Sequence, residues 1–316
     1  MIDTHQRHYS DAPEVDFSHL PELADYLHDP PAIYVGAPGK CGYLNLVFDL
    51  NDEGKSILRE LDRRAPLIVQ QELYFDRNLP DMPCVYILSS GGPNVEGDRY
   101  TQNITVRASA MAHVATGAAT KLASMTHNYS AMRQNIVLEH DAYLEFLPEP
   151  LIPCRHARFV CQTTLQVHPT ATVVYGEIYA CGRKYFDNGE MFAYDVISLA
   201  THGTRPDGEL LFNEKMVITP AQLNVRTLGT MAEYEVFANV IVMTTPELAD
   251  AIFNATSAYM GTDTAVGISR LPNGAGLIYK ILAQKTSQAK ERGREFCSTV
   301  RTLVKGVPLP DEFPWR

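Results

Sequence analysis

The chain has 316 residues, 45% hydrophobic and 20% charged, with 37 acidic residues against 27 basic ones and a formal charge of −10. This length buries the core of one large domain or two, and the acidic balance leaves no chain-wide basic field for phosphates, so no nucleic acid partner is expected. No run approaches the ~18 uninterrupted apolar residues of a membrane helix, and the opening MIDTHQRHYSDAPEVDF lacks a basic stretch followed by an apolar one, so a cytoplasmic chain without membrane contact is expected. Six cysteines (41, 84, 154, 161, 181 and 297) form no C-x-x-C pair, which argues for reduced thiols and against a zinc ribbon or a thioredoxin-type motif.

Residues 1–40 read as an N-terminal appendage, interrupted by Pro13, Pro21, Pro30, Pro31 and Pro38 and offering few apolar positions to a core. One short helix is predicted there, with Leu20, Leu23 and Leu27 on one face and Ser18 as N-cap. Residues 41–316 form the main domain. From Cys41 to Met243 apolar and polar residues alternate with the period of half-buried strands. Examples are Ile104/Val106, Ala142/Leu144/Phe146 set against Tyr143/Glu145, and Phe159/Cys161/Thr163/Leu165/Val167. Turn signals such as Gly91-Gly92-Pro93, Asp187-Asn188-Gly189 and Pro206-Asp207-Gly208 separate the runs. Tyr234–Thr244 is continuously apolar, which predicts a strand covered on both faces. Helices follow. Thr245-Pro246-Glu247 supplies an N-cap, an N1 proline and a first-turn acid, and Ser287–Lys305 carries a stripe of Phe296, Val300, Leu303 and Val304 before a Gly306 cap. Its other face, with Lys290, Arg292, Arg294 and Arg301, reads as solvated. A mainly β body with late helices excludes a doubly wound α/β enzyme.

No enzyme signature is present: G-x-S-x-G, H-E-x-x-H, G-x-x-x-x-G-K-[ST] and G-x-G-x-x-G after a strand are all absent. Three acids stand out. Asp98 ends the glycine-rich turn Gly91–Asp98 and on local grounds reads first as a cap of that turn. Glu177 falls among the apolar strand residues Val173, Val174, Ile178 and Tyr179, where a charge must be paired, hydrogen-bonded or functional. Glu214 lies in a hairpin-like arm and also reads as a solvated residue paired with Lys215. On an extended strand Cys154 and His156 would share a face and supply part of a soft metal site, although a buried thiol and an edge histidine is the reading to prefer. His113 and His127 read as surface or satisfied residues.

Several segments, in order, resemble the urease accessory protein UreD (UreH) family over roughly Gly39 to Arg316. They are Pro66-Leu67-Ile68-Val69-Gln70, the G-G-x(4)-G-D turn ending at Asp98, Thr116-Gly117-Ala118-Ala119-Thr120-Lys121, Leu144-Glu145-Phe146-Leu147-Pro148-Glu149, and Cys181-Gly182-Arg183 with Gly189-Glu190-Met191-Phe192. The resemblance implies a mainly β fold, an open, strand-rich, right-handed coiled sheet (β-helix-like) with a few helices, mostly C-terminal. It also implies a non-enzymatic urease maturation factor: a scaffold and nickel-passing chaperone that assembles with a UreF-like accessory protein, and through it a UreG-like GTPase, on urease apoprotein. No cofactor is permanently bound in that picture; Ni²⁺ passes transiently, and the family's relay carboxylates fall by motif on Asp98, Glu177 and Glu214. A releasing route needs sparse oxygen ligands rather than a cysteine cage. The chain departs from the family pattern in having Pro93, Glu96 in place of a glycine, Glu177 in place of an aspartate, and Arg99 where relatives can carry an acid. Two other readings remain: an enzyme on a β framework acting on a glycan with these carboxylates as acid and base, and a metal-free scaffold.

Overall fold

The structure is a computed structural model that describes residues 15–28 and 39–310. Pro13, Pro30, Pro31 and Pro38 of the appendage lie outside the described residues. Strand accounts for 45% of the structure and helix for 14%, as the alternation between Cys41 and Met243 predicts.

Apart from a two-stranded ribbon of Gly182–Arg183 and Glu190–Met191, the strands form two open sheets that the chain visits in turn. A seven-stranded sheet runs, in spatial order, Leu210–Ile218, Val196–Thr204, Arg158–Val167, Ser130–Leu138, Arg99–Val106, Cys41–Leu50 and Ser56–Arg64. The second sheet has eleven strands, and Cys84–Ser89, Met111–Thr116, Tyr143–Phe146 and Thr172–Ala180 are successive parallel neighbours in it. Each of these is followed in sequence, directly or after one or two strands of two or three residues, by a strand of the first sheet, and those first-sheet strands pair in parallel as well. Parallel neighbours need a crossover, and here the crossover is a strand of the opposite sheet, so the backbone winds as a coil. Its interior is an apolar core drawn from both sheets, including Leu46, Phe48, Ile104, Ile136, Leu144, Tyr175 and Ile241.

The coil ends antiparallel. Val236–Met243 pairs with Thr172–Ala180 on one side and Gly276–Ala283 on the other, and all eight of its residues are buried. It is covered on both faces because the coil interior lies on one side and helices lie on the other. Helix α1 (Pro246–Ala255) starts at Thr245, whose side chain accepts from the Leu248 amide. Helix α2 (Thr286–Lys305) ends at Gly306 with φ 76°, a left-handed value that glycine adopts without strain. Phe296, Cys297 and Val300 of α2 pack with Val240, Val242, Tyr279 and Ile281 of the sheet. Leu303, predicted in the buried stripe, is more than one-third exposed.

Three expectations are corrected. Arg301 is not on a solvated face: it is fully buried, with Nε and Nη2 each 2.6 Å from the Glu145 carboxylate and Nη1 bonded to Asp76. Glu145 is not turned to solvent opposite Leu144, because all four residues of Tyr143–Phe146 are buried; α2 covers the face that alternation assigns to water. The appendage does supply core. Its short helix is a 3₁₀ turn over Pro21–Tyr26 with Leu20 at the N-cap, while Ser18 bonds Asp16. Phe17 and Leu23 are fully buried against Tyr129, Ala131, Val160 and Val196 on the outer face of the first sheet. Leu27, expected on the same face, is exposed.

Candidate functional site

Within the coil's apolar interior, one register line of the first sheet is polar. Gln102, Gln134, Thr163, Thr201 and Glu214 are successive partners on five adjacent strands. The first four are almost completely buried, and they share a face because cross-strand partners do. The side chains of Gln102, Gln134 and Thr163 are linked. Gln134 Nε2 donates to Gln102 Oε1 at 2.9 Å, Thr163 Oγ1 donates to Gln134 Oε1 at 2.9 Å, and the Tyr175 hydroxyl, from the opposite sheet, lies 3.0 Å from the same oxygen.

Opposite this line the second sheet places a matching one. Glu177 is the register partner of Asn239, and Asn239 of Lys280. Tyr175 donates its hydroxyl to Glu177 Oε1 at 2.9 Å, and Tyr179 and Asn239 also hydrogen-bond the carboxylate. Burial raises the Glu177 carboxyl above its ordinary value, and the three hydrogen bonds only partly oppose this; the Glu214 charge adds to the rise. The Asn239 Oδ1 atom is buried without a hydrogen-bond partner. At the edge strand of the first sheet Glu214 Oε1 meets Lys280 Nζ of the second sheet at 2.5 Å, at the outer end of the seam. A cavity of about 390 Å³ opens along the seam's inner end, lined by Tyr100, Gln102, Gln134, Cys161, Tyr175 and Glu177 among others.

The three predicted acids therefore differ in setting. Glu177 sits at the centre of the seam and Glu214 at its edge. Glu214 pairs with Lys280 rather than Lys215, which instead bonds Glu22 of the appendage. Asp98 is fully buried and its oxygens are taken by the amides of Lys40 and Val95, the Tyr100 hydroxyl and the Lys40 ammonium at 3.3 Å. Only Tyr100 connects it to the cavity. The departures beside it fasten the same turn. The Glu96 carboxylate accepts the amides of Thr126, His127 and Asn128 at 3.0, 2.7 and 3.1 Å, and Arg99 donates to the Tyr129 carbonyl and the Asn128 side chain.

The histidine and cysteine candidates do not assemble. His156 is not on a strand: it stands in a turn with φ 58° and its Nδ1 is 3.0 Å from Asp195. Cys161 is buried beside Gln134 and Thr163. His113 is a buried core residue, its Nδ1 2.8 Å from Glu145. Among the described residues no group of three or more His, Cys, Asp or Glu side chains is placed to hold a metal ion, and no helix is long and apolar enough to cross a membrane. What the seam offers is a row of single oxygen donors, suited to weak, successive contacts with a cation and unsuited to a closed cage.

The Cys181-Gly182-Arg183 segment is structural. Gly182 has φ 138°, and a Cβ there would lie 1.9 Å from the Glu190 carbonyl oxygen, so no side chain fits. The turn lets Arg183 grip Glu190 with two bonds of 2.7 and 2.8 Å. These segments have a common origin: the model of the UreD urease accessory protein family matches residues 40–316. The chain belongs to the UreD family. Urease accessory protein UreD 2 of Brucella suis biovar 1 (strain 1330) is 41% identical over 296 residues, covering 93% of this chain and 98% of that protein. Urease accessory protein UreD of Yersinia pseudotuberculosis serotype O:1b (strain IP 31758) is 41% identical over 298 residues, covering 94% and 92%. UreD membership assigns the chain a role in urease maturation.

Proposed function

We propose that the chain matures urease as a non-enzymatic scaffold and nickel-passing chaperone. In this reading it assembles with a UreF-like accessory protein, and through it a UreG-like GTPase, on urease apoprotein, and Ni²⁺ moves along the seam between the two sheets. The observation that carries the reading is Glu177, a buried acid without a basic partner in its hydrogen-bond set, facing a row of amide and hydroxyl oxygens across a cavity. A carboxylate desolvated in this way is costly to keep ionised, so it takes up a proton or is matched by a visiting cation. The donor set fits a divalent ion in transit: carboxylate and amide oxygens bind nickel less firmly than thiolate or multiple imidazoles, so the ion is released onward.

Hydrolysis of a glycan requires two carboxylates about a solvent-open cleft. Asp98 and Glu177 are both buried, and Asp98 is committed to its own turn, so the enclosed seam favours passage over acid–base catalysis. A metal-free scaffold would meet the cost of burying Glu177 by protonation and its hydrogen bonds alone, and gives the row of oxygens facing it no task. The test is co-purification of this chain with the other accessory proteins and the urease subunits, followed by the nickel content of the urease. Omitting this chain should leave the urease nickel-poor. Full nickel loading without it, or no association with the urease complex, would overturn the proposal.

A further inference from the structure

We propose that Lys280 is a placeholder cation, neutralising Glu214 at the open end of the seam while no metal is present and leaving it when a divalent ion binds. The inference rests on the nickel-passage reading and adds a gate to it. Lys280 is the one exposed residue in Gly276–Ala283, where Leu277, Ile278, Tyr279 and Ile281 are buried. Its side chain is about half exposed, at 48%, and that of Glu214 is 34% exposed. The ammonium thus has water to return to when it lets go of the carboxylate.

The position is also where a metal ion would sit. Lys280 is in register with Asn239, whose Oδ1 is buried with no partner, and Asn239 is in register with Glu177. A cation replacing the ammonium would find the Glu214 carboxylate, with the Asn239 oxygen and Glu177 next along the seam. Two carboxylates so placed repel each other, and the Glu214 charge acts on Glu177. One ammonium offsets part of that repulsion, whereas a divalent ion offsets more of it. An exposed pair of this kind contributes little net stability, so displacing Lys280 is cheap. Asp98 differs, because the Lys40 ammonium is only one of its four donors and the turn depends on the others.

Titration calorimetry of the full chain with nickel chloride tests this. Relative to wild type, Lys280→Met should tighten Ni²⁺ binding roughly three- to tenfold, since the competing charge is gone. Lys280→Arg, which can hold a carboxylate with two bonds, should weaken it. Circular dichroism melts establish that both variants are folded, and Glu214→Gln serves as the control that removes the contested carboxylate. If Glu214→Gln loses nickel while Lys280→Met binds it no more tightly than wild type, the placeholder fails and the passage stands. If neither wild type nor Lys280→Met takes up nickel, the passage reading fails and the placeholder with it.

Discussion

Asp98 and Glu177 are buried acids with opposite surroundings, and the difference decides what removing each does. Asp98 accepts two backbone amides, a hydroxyl and an ammonium. Asp98→Ala strands those donors, at about 1–3 kcal/mol for each buried group left unpaired, so the variant should show a clearly lowered Tm; an unchanged melt would contradict the capping role. Glu145 is a third case. Burial would raise its carboxyl, but the hydrogen bonds from His113 and Arg301 prevail and hold it at about 2, below the usual 4.5. A folded-state value below the unfolded one gives stability that is complete above about pH 4.5 and lost as pH falls toward 2. Melts at pH values between about 6 and 3 should therefore steepen on the acid side for wild type and less so for Glu145→Gln. Identical acid limbs would contradict this. The sequence could not reveal that role, because strand alternation alone sends Glu145 outward and its partner Arg301 stands 156 residues later. The burial of Glu177 was legible, since its strand is mostly apolar or aromatic and offers no base to pair the charge.

Helix α2 shows how one element is held. Its apolar stripe was readable from spacing, yet the strongest tether is Arg301, which bonds Glu145 in the second sheet and Asp76 in a loop. Arg301→Met removes the one guanidinium that both buried acids share, which costs about 3–5 kcal/mol. Amide exchange in Thr286–Lys305 should quicken more than in Val236–Met243. Equal change in both would contradict a tether specific to the helix. The polar seam is an element-level feature of another kind. Gln102, Gln134, Thr163 and Thr201 each stand alone among the inward-facing apolar residues of their own strands, and only the parallel register, one coil apart, aligns them. A usable signal was present: Tyr100/Gln102/Ile104, Met132/Gln134/Ile136 and Cys161/Thr163/Leu165 each place one polar residue in the middle of an inward-facing trio.

At the scale of the whole molecule, the coil is closed on its outer face by the appendage. Phe17 and Leu23 fill a pocket there, and Glu22 bonds Ser198 and Lys215. Phe17→Ala should cost about 3–5 kcal/mol, and an unaltered melt would show that the segment does not pack on the sheet. Fold class was legible throughout, because a two-residue period followed by capped helices leaves few architectures. The contribution of the appendage was not, since proline density hid two apolar anchors whose partners lie more than a hundred residues away. The central claim is that the seam carries a metal ion past Glu177. Glu177→Gln keeps the shape and removes a carboxyl whose burial is unfavourable, so its Tm should equal or exceed that of wild type. The decisive measurement is the nickel content of urease activated with this variant. The account predicts a substantial fall at unimpaired stability; nickel loading equal to wild type would contradict it.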